Sequence, residues 1–318
     1  MPDVERLDER DYDAWYDVYA AAHHRDYDCP WLSIEKRVNL VDDEYGTKIA
    51  LLRRDGERIV AGGVAVLPLR DNTTLAYVDA WVHPDDRRRG HGSAVLAALC
   101  DVARDAGRTR LFAEAVWGVD DETSAGREFV LARGFTADLV DAIRQLDSPS
   151  DPPEAPAAEG YTLHTWRGEC PDQWVEEYAD LRQRMNSEAP SGDVGLEEEY
   201  WDADRVRLDE AATARSRREI QVVVARHDAG RLVGHTQLLF PEDGVEVYQW
   251  DTLVLPEHRG HGLGLALKVA AMRASVDLLE GRRRVTTYNA GSNAPMIAVN
   301  ERLGFRQVAW CGEHVRDV

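Results

Sequence analysis

Hydrophobic and polar positions follow the same order twice along the chain. Each half opens with a short strand and an amphipathic helix, continues with a β-hairpin and a further strand, and closes with a helix, a strand, a helix and a terminal strand. Up to the terminal strand, the first half predicts these elements over residues 4–7, 11–23, 47–69, 75–82, 93–107, 110–116 and 124–135. The second half predicts them over residues 161–166, 172–185, 219–240, 245–254, 265–279, 284–290 and 294–305. This alternation is typical of an α/β fold with mixed strands.

The two halves are copies of one pattern. A displacement of 172 positions aligns them without a gap over more than thirty residues. The aligned pairs include Asp79 with Asp251, Pro84 with Pro256, Arg87 with Arg259, Gly90 with Gly262 and Gly92 with Gly264. A proline-rich segment of small polar residues lies between the copies and suits an extended linker. We therefore predict an N-terminal domain over 1–147, a linker over 148–159 and a C-terminal domain over 160–318.

Composition limits the classes of function. The net charge of −20 disfavours a nucleic-acid binder, because neutralising phosphates needs an excess of Lys and Arg, and a cationic or neutral substrate fits better. The sequence shows no apolar run long enough to span a membrane and no signal peptide, so we expect a cytoplasmic protein. The four cysteines lack the spacing of metal ligands, and we predict no metal site.

Each copy carries a glycine loop between a strand and a helix, RRRGHG at 87–92 and RGHGLG at 259–264. Glycines let a ligand approach the backbone closely, and the first turn of the following helix leaves N–H groups without intrahelical partners. Together with the positive end of the helix dipole, these donors form an anion site that suits phosphate. A plain tight turn would give the same spacing, so the loop alone leaves both interpretations open.

The wider context of the loop resembles the GCN5-related N-acetyltransferase (GNAT) superfamily. In both copies a strand ending in V-x-P precedes R-x-x-G-x-G, a helix, a strand, and a last helix that closes on GF. The resemblance covers essentially the whole chain and implies two tandem GNAT-like domains, each a mixed twisted β-sheet flanked by helices. It also implies that the loop binds the pyrophosphate of the co-substrate acetyl-CoA. A dinucleotide-binding Rossmann fold is disfavoured, because neither loop supplies its full fingerprint.

The resemblance assigns cofactor contacts to matching positions in both copies. They fall on Leu253, Val254, Arg259, Gly260, His261, Gly262, Leu263, Gly264, Asn289 and Asn293 in the second copy, and on Arg87, Gly90, His91 and Gly92 in the first. Asn293 could instead serve only as a helix N-cap. The first copy has no asparagine in the corresponding segment. We therefore expect the C-terminal domain to be catalytic and the N-terminal domain to be degenerate, with or without bound CoA.

Acetyl transfer to an amine needs a base for the amine, and an acid can help the thiolate to leave. The resemblance places a carboxylate base at Glu246, where the 172-residue displacement puts Thr74 in the first copy. Asn300 stands where family members often carry a tyrosine acid. Tyr288 and His258 are the remaining candidates for the acid, although His258 could equally be a surface histidine.

Further candidates lie on the strand before the second loop. Alternation predicts that Glu246, Tyr248, Trp250 and Thr252 share one face of this strand. We expect Tyr248 and Trp250 to contact substrate, although such aromatic residues also fill cores. Asp251 could orient a cationic amine as a catalytic residue, or, because Asp79 matches it in the first copy, be a structural partner of the backbone or of an arginine.

These observations predict an enzyme that moves acetyl from acetyl-CoA to a primary amine of a small molecule by direct attack in the C-terminal domain. We expect a monomer or homodimer that acts without nucleic acid or membrane. A protein or peptide N-acetyltransferase and a non-catalytic acyl-CoA sensor remain as alternatives. Among tandem members of the superfamily, the mycothiol synthases are disfavoured by Asn300.

Overall fold

A computed structural model describes residues 4–23, 26–148, 152–188 and 196–318. These residues form two compact units. The N-terminal unit contains the described residues up to 140 together with 196–197 and 309–318, and the C-terminal unit contains 141–188 and 198–308. The linker that we predict at 148–159 lies partly outside the described residues.

The first half of the chain alternates strands and helices as its pattern predicts. Its elements are β1 (Val4–Arg6), α1 (Tyr12–Ala22), α2 (Ser33–Val38), β2 (Gly46–Asp55), β3 (Arg58–Pro68), β4 (Leu75–Val82), α3 (His91–Asp105), β5 (Arg110–Gly118), α4 (Ala125–Leu131) and β6 (Thr136–Asp147). Helix α2 is an addition that the hydrophobic periodicity does not predict. It is one of the shortest helices of the described chain, and six residues carry too little periodicity to be recognised.

The second half repeats this order. Its elements are β7 (Tyr161–Arg167), α5 (Val175–Glu188), α6 (Ala203–Arg215), β8 (Arg218–His227), β9 (Leu232–Pro241), β10 (Glu246–Val254), α7 (Leu263–Ala274), α8 (Val276–Leu279), β11 (Arg284–Ala290), α9 (Ala294–Leu303) and β12 (Arg306–Asp317). The single helix predicted over 265–279 is two helices, because the chain leaves helical geometry at Ser275.

Each unit contains a mixed sheet. In the N-terminal unit the strand order is β1-β2-β3-β4-β5-β12, and in the C-terminal unit it is β6-β11-β10-β9-β8-β7. Neighbouring strands within a unit are antiparallel except for the parallel pairs β4–β5 and β10–β11. The predicted fold class, a mixed twisted sheet flanked by helices in each of two tandem domains, is confirmed.

The last strand of each sheet comes from a distant part of the sequence. Residues 309–317 of β12 pair antiparallel with β5 in the N-terminal unit, and residues 141–147 of β6 pair antiparallel with β11 in the C-terminal unit. The sequence predicts a terminal strand for each half, but alternation along a strand does not encode which edge that strand will join.

One helix carries the core of each unit. In the N-terminal unit, α3 buries Val95 and Leu99 against the sheet. In the C-terminal unit, α7 buries Leu267 and Met272 in a cluster that includes Val247 of β10. Each buried aliphatic side chain of this size contributes about 1.5–3 kcal/mol to folding. Both helices begin directly after a glycine loop, so the core fixes the position of each loop.

The β12–β5 pairing can be tested at Gly312. A Cβ atom there would lie 2.9 Å from ring atoms of both His314 and Trp117, so in Gly312→Val these rings, or the strands that carry them, must shift. We expect the free energy of unfolding to fall by about 1–3 kcal/mol and amide hydrogen exchange to rise in residues 110–118. Gly126→Ala is the matched control, because its added methyl group meets its nearest neighbours at 3.8 Å. Unchanged stability and unchanged exchange in residues 110–118 of the Gly312 variant would contradict the close packing of Gly312 against Trp117.

Candidate active site

The parallel strands of the C-terminal unit separate early. β10 pairs with β11 over three residues only, Glu246–Tyr248 with Arg284–Thr286. Both strands then continue, and we call the space between residues 249–254 and 287–290 the strand opening. The β4–β5 pair of the N-terminal unit also ends after three residues. The two units therefore share an opening at the same point of the sheet.

β10 contains a β-bulge that its counterpart β4 lacks. Its register against β9 shifts by one residue between Gln249 and Thr252, whereas β4 pairs with β3 in constant register. The extra residue turns Thr252 to the face of Gln249, and both side chains bond the Thr236 hydroxyl, at 2.7 and 2.9 Å. The expectation that Thr252 shares the face of Glu246 is therefore wrong, because a bulge reverses the alternation.

The glycine loop of the C-terminal unit leaves its backbone accessible. Gly260 and Gly262 adopt positive φ angles of 86° and 72°, and a Cβ atom on either would have no neighbour within 4 Å. Gly262 is the N-cap of α7, so the next N–H groups, from Leu263 onwards, have no partner within the helix. Gly264, one residue further, has only the Val299 side chain near it, at 3.8 Å. These features fit the predicted phosphate site.

The loop arginines make structural contacts in both units. Arg259 donates to the Val254 carbonyl oxygen and forms an ion pair with Glu188 at 2.8 Å. Arg87 donates to the Val82 and Ala22 carbonyl oxygens in the same way. Each guanidinium group therefore joins the end of its strand to the end of the first helix of its half, α1 or α5.

Side chains surround the corresponding loop of the N-terminal unit more closely. The His91 ring is buried and accepts a hydrogen bond from Arg53 at 2.9 Å. A Cβ atom on Gly92 would lie 3.2 Å from Val82 and 3.5 Å from Phe129. Arg133 donates to the Ser93 hydroxyl at 2.5 Å. The first turn of α3 is thus partly covered, unlike that of α7.

A chain of polar side chains lies between α7, α9 and β11. The Lys268 ammonium donates to Asn300 Oδ1 at 2.7 Å, and Asn300 Nδ2 donates to Asn289 Oδ1 at 2.5 Å. Lys268 is only 1% exposed, and burial lowers its pKa to about 7. Asn293 is the N-cap of α9, where its side chain accepts from the Met296 N–H. The position of the family tyrosine is therefore part of a buried hydrogen-bond chain.

Asp251 lies in the bulge and faces an arginine on α5. Its carboxylate is 3.5 Å from Arg182, which also pairs with Asp209 at 3.1 Å. Burial raises the pKa of the Asp251 carboxyl group above its ordinary value. The Arg182 guanidinium also stacks over Trp201, 4.2 Å from the ring centre. Arg182 thus pairs with two carboxylates, and these three side chains carry an excess of negative charge when both carboxylates are ionised.

In the N-terminal unit, the charges around the counterpart of Asp251 are balanced. Asp79 is 3.5 Å from the Lys36 ammonium, which lies 4.1 and 4.9 Å from the ring centres of Tyr19 and Trp81. Here one cation serves one carboxylate.

Glu246 lies at the paired start of β10, before the strand opening. Its carboxylate accepts a hydrogen bond from Arg284 at 2.5 Å, and both side chains are buried. Glu246 pairs with Arg284 across the strands as Leu75 pairs with Arg110. In the sheet, the counterpart of Glu246 is therefore Leu75. The 172-residue displacement selects Thr74 instead, because the bulge adds one residue to β10 after Glu246 and that displacement counts the extra residue.

The other candidates are spread around the opening. His258 Nδ1 is 3.0 Å from the Tyr161 hydroxyl, and the His261 ring is 5.4 Å from the same tyrosine. Tyr288 and Trp250 are each 44% exposed, on β11 and in the bulge of β10. Leu253 is buried and Tyr248 is half-buried against the C-terminal core. Asp251, Trp250 and Asn289 thus lie on the strands that border the opening, and the loop follows at the end of β10. Glu246 lies where β10 and β11 are still paired.

Sequence reasoning missed Arg182 and Lys268. A signal existed for Lys268, because it is one of only three lysines in the chain and interrupts an otherwise apolar run in α7. Arg182 carried no comparable signal, since charged residues surround it in the sequence.

Among the described residues, no group of three or more His, Cys, Asp or Glu side chains is placed to hold a metal ion. No helix of the described ranges is long and apolar enough to cross a membrane.

Comparison with known proteins gives this architecture a class: the chain is an acetyltransferase. The sequence profile of the Acetyltransferase (GNAT) family matches residues 3–135 and 151–305, so the chain belongs to this family. Members of the family use acetyl-CoA as co-substrate. The predicted family and the predicted enzyme class are confirmed.

Two curated relatives are named mycothiol acetyltransferase. The protein of Saccharomonospora viridis is 31% identical over 71% of this chain and 70% of its own length. That of Thermomonospora curvata is 29% identical over 79% of this chain and 77% of its own length. The expectation that Asn300 disfavours mycothiol synthases stays a prediction.

Solved structures show the same tandem architecture. A tandem GNAT protein from the clavulanic acid biosynthesis pathway aligns with a TM-score of 0.82 and 27% identity, over 99% of this chain and 98% of that one. A GCN5-related N-acetyltransferase from Sphaerobacter thermophilus aligns with a TM-score of 0.71 and 16% identity, over 100% and 96% of the two chains. The second likeness concerns the fold alone.

The buried lysine predicts a pH dependence of stability. Between its folded pKa of about 7 and its ordinary value of 10.5, the unfolded chain binds one proton more than the folded chain. The free energy of unfolding of the wild type should therefore rise with pH in this window, relative to Lys268→Met, by up to about 1.4 kcal/mol per pH unit. Denaturant titrations at successive pH values measure the difference. Leu267→Met, a buried control on the same helix, should shift stability equally at every pH. Parallel curves for wild type and Lys268→Met would contradict the burial effect.

Proposed function

We propose that the C-terminal unit transfers acetyl from acetyl-CoA to a primary amine of a small molecule by direct attack. The bulge in β10 is the observation that carries this assignment, because it lies at the strand opening, contains Asp251 and has no counterpart in β4. Bulges are over-represented next to active sites, where they redirect side chains. The N-terminal unit keeps the opening and the loop without the bulge.

The open glycine loop supports cofactor binding in the C-terminal unit. The N–H groups at the start of α7, around Leu263 and Gly264, would hold the pyrophosphate, and the positive φ angles of Gly260 and Gly262 let it approach. Asn289 lies in the strand opening, where the arm of the cofactor would run. The N-terminal loop, bordered by Phe129 and Arg133, would bind CoA more weakly or not at all.

The negative excess around Asp251 supports an amine acceptor. Arg182 is shared by Asp209 and Asp251, and an incoming ammonium group would balance the second carboxylate. A carboxyl group with a raised pKa is also a better proton acceptor. In the reaction the ammonium group of the substrate first gives a proton to Asp251. The free amine nitrogen then forms a bond to the acetyl carbon, the carbon–sulfur bond breaks with its electron pair on sulfur, and the thiolate takes up the second proton from the nitrogen. No protein acid is needed at Asn300, because a thiolate is a tolerable leaving group.

The names of the curated relatives support a small acceptor. They are called after mycothiol and not after a protein. A peptide or protein acceptor is the second candidate. The acceptor itself, the cytoplasmic location and the oligomeric state stay predictions.

The cofactor site can be tested at Gly264. Gly264→Trp should weaken acetyl-CoA binding by about a hundredfold or more, equal to about 2.7 kcal/mol, because the indole would fill the phosphate site. Calorimetric titration measures affinity and stoichiometry, and release of free thiol in the presence of an amine panel measures transfer. Gly264→Ala is the matched control, since its added methyl group would have only Val299 nearby. Gly92→Trp should leave binding at the C-terminal site intact.

Each other outcome of this experiment has a definite meaning. Two equivalents bound by the wild type, with one lost in each Trp variant, would give the N-terminal unit a cofactor site of its own. Binding without transfer to any amine or peptide would favour an acyl-CoA sensor. Transfer to peptides alone would replace the small-molecule acceptor.

The base can be identified by comparing two carboxylates. Asp251→Asn should lower kcat by about a hundredfold or more with little change in the KM of acetyl-CoA, because a positioned base contributes about 10²–10⁴. Glu246→Gln should lower kcat by less than about tenfold, since its carboxylate is bound to Arg284. Steady-state kinetics over a pH series measure both variants. The larger loss in Glu246→Gln would return the role of base to Glu246, as the family resemblance predicts.

A further inference from the structure

Lys268 is buried in the C-terminal core without a counter-ion. It lies in the middle of α7, and within the described residues no carboxylate is at ion-pair distance from its ammonium group. Its hydrogen bond is made to an uncharged amide, Asn300 Oδ1 at 2.7 Å. Burying an ammonium group is costly unless it is paired with an opposite charge and hydrogen-bonded. The hydrogen bonds that start at Lys268 and lead through Asn300 to Asn289 offer a reason for this burial.

Hydrogen-bond chemistry fixes the direction of this chain. Below its pKa of about 7 Lys268 is charged and only donates, so in this form Asn300 must turn its oxygen towards Lys268 and its nitrogen away. That nitrogen donates to Asn289 Oδ1 at 2.5 Å. Asn289 must therefore present its own nitrogen elsewhere, and that atom has no hydrogen-bond partner among the described residues. One buried charge thus determines the orientation of two amides.

The free end of the chain lies in the strand opening. Asn289 is three residues beyond Thr286, the last residue of β11 that pairs with β10, and its side chain is only partly buried. In the N-terminal unit the positions corresponding to Lys268 and Asn300 are Leu96 and Val130, which are buried and apolar. The same helix can therefore be packed without a buried charge, and the polar chain occurs in the unit whose loop is open.

We propose that Lys268 is a positioning residue for the co-substrate. Through Asn300 it holds Asn289 with an N–H directed into the strand opening, where that N–H donates to a carbonyl oxygen of acetyl-CoA. This inference rests on the proposed use of the C-terminal site. It assigns Lys268 and Asn300 a role in affinity although neither touches the ligand.

Asn300→Asp separates positioning from stability. The carboxylate keeps the size of Asn300 and gives Lys268 a counter-ion, so the melting temperature should not fall. It cannot donate, so Asn289 must turn its N–H inward and present its oxygen to the cofactor. We expect acetyl-CoA to bind about tenfold more weakly or worse, measured by calorimetric titration. A purely structural role predicts unchanged affinity in this variant.

Lys268→Met provides the second line of evidence. Without the donor both amide orientations become accessible, and affinity should fall by about three- to tenfold as the competent orientation is depopulated. Both losses should disappear when the substitutions are made in an Asn289→Ala background, because Asn289 is the group through which they act. Lys36→Met, which alters the buried lysine of the N-terminal unit, should leave affinity at the C-terminal site unchanged.

The results have distinct interpretations. Wild-type affinity in Asn300→Asp, or losses that persist in the Asn289→Ala background, would overturn the positioning role while acetyl-CoA binding itself stands. Absence of binding in the wild type, or binding that survives Gly264→Trp, would instead overturn the proposed cofactor site.

Discussion

The early separation of β10 from β11 is the constraint on which the candidate site depends. Three parallel pairs hold the strands together, and beyond them the Thr287 hydroxyl donates to the Gln249 carbonyl oxygen at 3.2 Å. A continuous sheet would satisfy the following backbone groups internally and leave no space for a ligand. Because the strands part here, the bulge can redirect Asp251, and the glycine loop follows at the end of the same strand.

The two units show how one backbone supports different chemistry. In the N-terminal unit, Lys36 neutralises Asp79 one to one and aromatic rings enclose its ammonium group. In the C-terminal unit, Arg182 is divided between Asp209 and Asp251. A carboxylate that has a cation of its own gains less from a second, external cation than a carboxylate that shares its cation. The difference lies in side chains and in a single inserted residue, and not in the fold.

The sequence could predict whatever repeats or recurs with a fixed period. Alternation and helical periodicity predict the strands and most helices, and the glycine spacing predicts both loops. The bulge could not be predicted, because the two copies align at the 172-residue displacement from Asp79 and Asp251 onwards. The alignment therefore does not show that the counterpart of Glu246 is shifted by one residue. The exchange of β6 and β12 could not be predicted either, since period two fixes the face of a strand and not its neighbour. The partners of Arg182 and Lys268 depend on contacts between distant elements.

Lys268 and Asp251 are connected by a common physical condition. Each is an ionisable group placed where burial disfavours its charged form, as the lowered pKa of one and the raised pKa of the other show. Selection for stability alone favours the solution found at Leu96 and Val130, where the same packing is apolar. A ligand site has the opposite requirement, because polar groups fixed before binding lose less freedom when the ligand arrives. Asp251 borders the strand opening, and Lys268 is connected to it through Asn300 and Asn289. This is the distribution expected if binding and not packing determines where these two groups are retained.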